Sequence, residues 1–176
     1  MSSQRWVGAV VNATISQAPI AFVQVTGAEF GCFVGHCPRG LPEPLPLTNG
    51  HFLFLYNALG LRRKERYLAT LEYSYWYQAT ADPNSWIFRY EYLREPPPGY
   101  PYAMCHVHVN ARPASYTGAK QFRELHLPVG ERVTIEAIVR HLISEHGITP
   151  ISPHWQNAVE AAEDHFRDVQ RKRVLE

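Results

Sequence analysis

In Met104-Cys-His-Val-His-Val-Asn110 two imidazoles alternate with small and aliphatic side chains, and Leu125-His-Leu-Pro128 follows after a loop. Strict alternation predicts a strand, with His106, His108 and Asn110 on one face and Cys105, Val107 and Val109 on the other. Side chains two apart on a strand sit roughly 7 Å from each other, so both imidazoles can serve one reacting centre. An imidazole titrates near pH ~6.5, which suits it to take a proton or give one at working pH. Metal-independent cleavage of an RNA phosphodiester needs such a pair and a cation on the phosphate. Here His106 and His108 are the pair and Arg89 is the cation. Glu91 shares a face with Arg89 and orients an imidazole if that face is the histidine face. Tyr73 or Tyr75 would stack on a base, Asn110 would add a polar substrate contact, and His126 is a substitute for either histidine. No cofactor is called for.

The same residues admit other readings. His106 and His108, with His126 from a neighbouring segment, make a three-nitrogen metal set, with Glu124 or Glu91 as alternatives to His126. Such a set would activate a water for hydrolysis. Strand histidines also serve as hydrogen-bonded structural groups. A tyrosine row can be core beneath a helix, and Arg89 can pair with Glu91 or Glu72 across strands. His141, His146, His154 and His165 fall at no ligand spacing and read as solvent-facing. Cys32, His36 and Cys37 lie close together without a second ligand pair, so the cysteines read as ordinary thiols.

The elements that must hold these residues are mainly strands. Ile20–Thr26 and Phe30–Val34 read as a hairpin about Gly27, while residues 5–13 fit a helix or a strand equally. The proline-rich stretch Pro38–Pro46 is an extended connector and the one internal boundary, separating an N-terminal hairpin extension (1–44) from the rest (45–176). Past the Thr48-Asn-Gly50 turn signal, His51–Tyr56, Tyr67–Gln78, Ser85–Leu93 and the histidine strand are joined by short loops, which predicts an antiparallel meander. Leu61–Arg66 reads as a charged turn. Along the second of these strands Tyr73, Tyr75 and Tyr77 face one way and Ser74 and Trp76 the other. Ile135, Ile138, Val139, Leu142 and Ile143 follow the i, i+3, i+4, i+7, i+8 spacing of an amphipathic helix. Thr134 is placed to cap it and Gly147 to end it. Ser152-Pro153 opens a second helix with a stripe from Trp155 to Val169. The expected fold is therefore α+β: a curved antiparallel β-sheet meander with two C-terminal helices packed on one face.

Size and charge narrow the function classes. The chain has 176 residues, 45% of them hydrophobic, and a formal net charge of +1, so no global field draws it to nucleic acid and any such contact is local. Its opening residues lack the basic and apolar regions of a signal peptide, no run is long enough to span a membrane, and the three cysteines are an odd number. A cytoplasmic setting is expected.

From Leu45 to Leu142 the chain resembles the TumE family of toxin components from prokaryotic toxin–antitoxin pairs. The resemblance rests on the Leu-x-Leu-x-Asn-Gly opening (Leu45 to Gly50), Tyr-Ser-Tyr-Trp-Tyr-Gln (Tyr73 to Gln78) and Ile-Phe-Arg-Tyr-Glu (Ile87 to Glu91). The paired His106 and His108 and the Thr-Ile-Glu helix start (Thr134 to Glu136) complete it. The family's arginine motif usually ends in Asp, where this chain has Glu91, and the segment from Asn110 to Gly130 and the last helix exceed the short members. The resemblance implies a small cytoplasmic toxin with an antitoxin protein as partner, and RNA as a target consistent with the histidine chemistry. Two further function classes stand beside it. One is a non-catalytic binding or assembly module, with the last helix's apolar stripe making a homodimer or partner contact. The other is a metal-dependent hydrolase.

Overall fold

The computed structural model describes residues 10–18, 20–24, 30–34, 43–62, 67–110 and 125–172. Among the described residues a short helix, α1 (residues 10–14), precedes eight strands: β1 (Ala21–Gln24), β2 (Phe30–Val34), β3 (Leu45–Pro46), β4 (Phe52–Arg62), β5 (Tyr67–Gln78), β6 (Trp86–Leu93), β7 (Cys105–Val109) and β8 (Leu125–Pro128). Helices α2 (Ile135–His146) and α3 (Trp155–Lys172) follow. The strands form one antiparallel sheet in the order β1-β2-β4-β5-β6-β7-β8, with β3 paired beside β4. The fold is α+β, and β4 to β7 run as the expected meander. The N-terminal hairpin joins the same sheet, β2 pairing directly with β4. Leu61 and Arg62, read as part of a charged turn, instead continue β4; residues 63–66 lie outside the described residues.

One face of this sheet carries the core. Leu53 and Leu55 of β4, Tyr73, Tyr75 and Tyr77 of β5 and Phe88 and Tyr92 of β6 cluster with Ile135, Ile138, Val139 and Leu142 of α2. Apolar residues at helical spacing meet apolar residues at strand spacing, which is the reason a helix settles on a sheet. Thr134 caps α2 by accepting from the Ala137 amide at 3.2 Å, and Gly147 closes it in the left-handed region at φ 62°. Val10, Val11 and Ile15 also enter the core. Ser16 donates to the Pro46 carbonyl at 2.7 Å, and the Thr14 carbonyl accepts from the Ile151 amide. Residues 10–18 are thus a built part of the domain, and 10–14 are helical.

At one end of the core, His141 and His146 are half-buried against Phe88, with ring centroids 5.4 and 5.1 Å away, and His146 also meets Tyr77 at 4.9 Å. The solvent-facing expectation is therefore corrected for these two: the α2 face turns them onto β5 and β6. Of the other two, His154 is exposed and His165 is half-buried. Burial lowers the affinity of His146 for a proton, the neighbouring His141 and His51 add to the effect, and Glu145 opposes it. The folded chain then binds fewer protons here than the unfolded chain, so stability falls as pH drops below about 6.5. Thermal unfolding followed from pH 7.5 to 5 should show a declining Tm, and His146→Gln should flatten that decline. An equal slope in the variant would place the titration elsewhere.

Candidate acid–base site

Register decides which side chains meet. Arg89 lies opposite His108 and Glu91 opposite His106 across β6 and β7, while Trp76 lies opposite Arg89 and Ser74 opposite Glu91 across β5 and β6. Cross-strand partners share a face. Arg89, Glu91, His106, His108, Ser74 and Trp76 therefore gather on the sheet face turned away from α2.

The contacts are close. His108 Nε2 lies 3.1 Å from Glu91 Oε2, and Arg89 Nη2 lies 3.2 Å from His108 Nδ1. A guanidinium only donates, so Nδ1 of His108 accepts and its Nε2–H donates to the carboxylate. His106 donates from Nδ1 to the Ala103 carbonyl at 2.7 Å and turns Nε2 toward Glu91 Oε2 at 3.6 Å. That approach is attractive when Nε2 carries a proton, which makes His106 an imidazolium facing a carboxylate. Arg89 Nε lies 3.5 Å from Glu91 Oε1, and the Ser74 hydroxyl donates to the same oxygen at 3.4 Å. The Trp76 indole N–H donates to Ser74 in turn. The guanidinium carbon also lies 5.3 Å from the Trp76 ring centre and 5.0 Å from that of Trp86, so two indoles flank the cation.

Exposure divides the group. His106 and His108 are each 2% exposed, whereas the side chains of Glu91 and Arg89 are 24% and 22% exposed. The carboxylate and the guanidinium meet solvent, and the imidazoles sit behind them. This corrects the expectation of two surface imidazoles acting as a pair. His108 is held between Arg89 and Glu91 and orients the carboxylate, while Glu91 is the accessible acceptor.

The other expected residues fall elsewhere. Tyr73 and Tyr75 stack on each other, with centroids 4.6 Å apart, inside the core beneath α2. The expected base-stacking role is therefore corrected, because rings 2% and 1% exposed offer no face to a ligand. Tyr75 accepts from Asn57, and Tyr73 contacts the Cys105 thiol while accepting from the Val133 amide. Burial pushes both hydroxyls well above their ordinary range, so they stay neutral. The Asn110 amide donates to the Trp86 carbonyl at 2.9 Å and ties β7 to the start of β6. His126 pairs in register opposite His108; its side chain, Glu124, and the Cys32, His36 and Cys37 side chains lie outside the described residues. Sequence reasoning missed Trp76 and Trp86 beside Arg89. The alternation that sets Trp76 against the tyrosine row was a usable signal, but without the register it could not be joined to Arg89.

One atom each from Glu91, His106 and His108 lies within 4.8 Å of the others, a spacing that also suits a divalent cation. His106 is oriented for that role, since its second nitrogen donates to a carbonyl. His108 is not. A ligating histidine passes its other N–H to an acceptor, and here that nitrogen meets a donor-only guanidinium. Arg89 thus works against a cation held by both imidazoles. Arg89→Met should therefore raise Co²⁺ affinity by at least about tenfold over wild type, a factor worth ~1.4 kcal/mol, read from the visible d–d bands. Equal affinity in the two proteins would remove this argument.

No protein-family model, curated protein or solved structure matches this chain.

Proposed function

We propose that the protein cleaves RNA by metal-independent acid–base catalysis at Glu91, His106 and Arg89, as the toxin component of a toxin–antitoxin pair. The observation that carries this reading is the partly exposed Glu91 side chain, whose carboxylate meets two imidazoles and a guanidinium within 3.6 Å. Glu91 takes the proton of the ribose 2′-hydroxyl as O2′ bonds to phosphorus. The P–O5′ bond breaks, and His106 as imidazolium supplies the proton to the departing 5′-oxygen. Products are a 2′,3′-cyclic phosphate and a 5′-hydroxyl. Arg89, fixed between Trp76 and Trp86, compensates the charge gathering on the phosphorane oxygens. His108 bridges Arg89 and Glu91 and keeps both in position. With His106 charged, the two cations and one carboxylate leave a local excess of positive charge. That balance suits an anionic ester where the whole chain has only +1.

A second reading, a non-catalytic binding module, draws on the burial of both imidazoles. One experiment separates them. Purified protein is incubated with single-stranded RNA in excess EDTA, and product ends are assigned by mass. The acid–base reading expects cyclic phosphate ends, undiminished by chelator and lost in His106→Gln. Absence of cleavage, together with harmless expression of the wild-type gene without its neighbour, would favour the binding module. Cleavage abolished by EDTA and restored by a divalent metal would give the site to metal chemistry instead.

A further inference from the structure

We propose that Tyr102 is the gate of this site, and that the group which displaces it is a flat unsaturated ring of the substrate. The choice of a nucleobase as that ring rests on the RNA reading above. The gate itself rests on geometry alone. His106 and His108 are almost fully buried, yet the Tyr102 ring that lies over them, with centroids 5.2 and 5.8 Å away, is 39% exposed. Tyr100 stands edge-on to Tyr102 at 5.5 Å and reaches His106 at 6.2 Å. Displacing the Tyr102 ring uncovers the His106 ring for a substrate.

The connection between β6 and β7 is built to let that happen. Its ends are pinned: the Leu93 amide donates to the Met104 carbonyl, and the Arg94 amide and Nε donate to the carbonyls of Leu71 and Thr70. Between the pins lie Pro96, Pro97, Pro98 and Pro101, which have no amide hydrogen to give a sheet or a neighbouring loop. Gly99, at φ 83°, has nothing within 4 Å of the position a Cβ would occupy, so the turn stands clear of the body. A hydrogen bond ties the flap to the chemistry: Ala103 accepts from His106 Nδ1. Lifting the flap breaks that bond, so gate position and His106 hydrogen bonding change together. The slot vacated is aromatic-shaped, tilted by 33° from the His106 ring, and suits another planar ring.

The test uses the full-length protein and two probes. Diethylpyrocarbonate acylates accessible neutral imidazoles, and mass spectrometry reads each site with exposed His154 as the internal reference. His106 and His108 should react more slowly than His154 in wild type. In Tyr102→Ala they should react about tenfold faster or more, as when a local closing equilibrium is removed, and in Tyr102→Phe at the wild-type rate. Rates unchanged in Tyr102→Ala would overturn the gate. The second probe is a 2′-O-methyl RNA hexamer, which cannot be cleaved, and its abasic analogue. A displaced gate taxes binding, so Tyr102→Ala should bind the base-bearing hexamer more tightly than wild type and leave the abasic one unchanged. Weaker or equal binding would overturn the nucleobase occupant, and so would a hexamer that wild type does not bind. Faster acylation without RNA cleavage would sink the function reading and leave the gate. Cleavage with an unresponsive flap would do the reverse.

Discussion

Glu91→Gln should lower RNA cleavage by about 10²–10⁴-fold, the usual contribution of a positioned proton-transfer group, while the protein stays folded. The amide keeps the size of the side chain and can still accept from His108 through its oxygen, but it cannot take the 2′-hydroxyl proton. Its effect on the site is also electrostatic. The carboxylate now faces Arg89 at 3.5 Å and His106 at 3.6 Å; its loss leaves both groups without their counter-charge. The matching result is a fall in kcat with little change in KM, since the flanking indoles and Arg89 remain to bind. Circular dichroism of the variant should overlay wild type. Full activity in Glu91→Gln would show that Glu91 is not the base and end this acid–base account.

The second large effect is on stability. Leu142→Ala is expected to cost about 2–5 kcal/mol, in the range seen when a fully buried leucine is truncated in a packed core. Leu142 has no exposed surface and lies in the cluster that binds α2 to β4, β5 and β6. Its backbone carbonyl also accepts from the Gly147 cap, so the residue sits where the helix is both packed and terminated. Urea unfolding should show a lower midpoint with an unchanged slope, since the surface exposed on unfolding hardly alters. The site lies on the opposite face of the sheet. Cleavage by the folded fraction at low temperature should therefore persist in this variant, although its loss on heating comes earlier. A midpoint within error of wild type would mean that α2 does not carry the core.

These two effects come from opposite faces of one sheet, and the sequence marks them with unequal clarity. Alternation in Cys105–Val109 and Tyr67–Gln78 placed strands where β7 and β5 lie, because a two-residue period is a property of one segment. The spacing from Ile135 to Ile143, with Thr134 before it and Gly147 after it, located α2 for the same reason. Periodicity divides each strand into two faces but does not say which face a helix covers. Tyr73 and Tyr75 were therefore open to a surface role until α2 was seen to lie on them. Residues 10–18 carry no clear period, and their place in the core depends on Pro46 and Ile151, far away in the chain.

By itself, then, the sequence determined the α+β class, the meander, α2 with its cap, and the presence of His106, His108, Arg89 and Glu91 on strands. Tertiary structure alone decided that the four share a face. Strand register sets Arg89 opposite His108 and Glu91 opposite His106, and a slip of one residue would have turned the guanidinium and carboxylate to the far side. It also decided that both imidazoles lie beneath Tyr102, with Trp76 and Trp86 about Arg89. Burial and cross-strand pairing are relations between segments, and no local pattern of residue types encodes them.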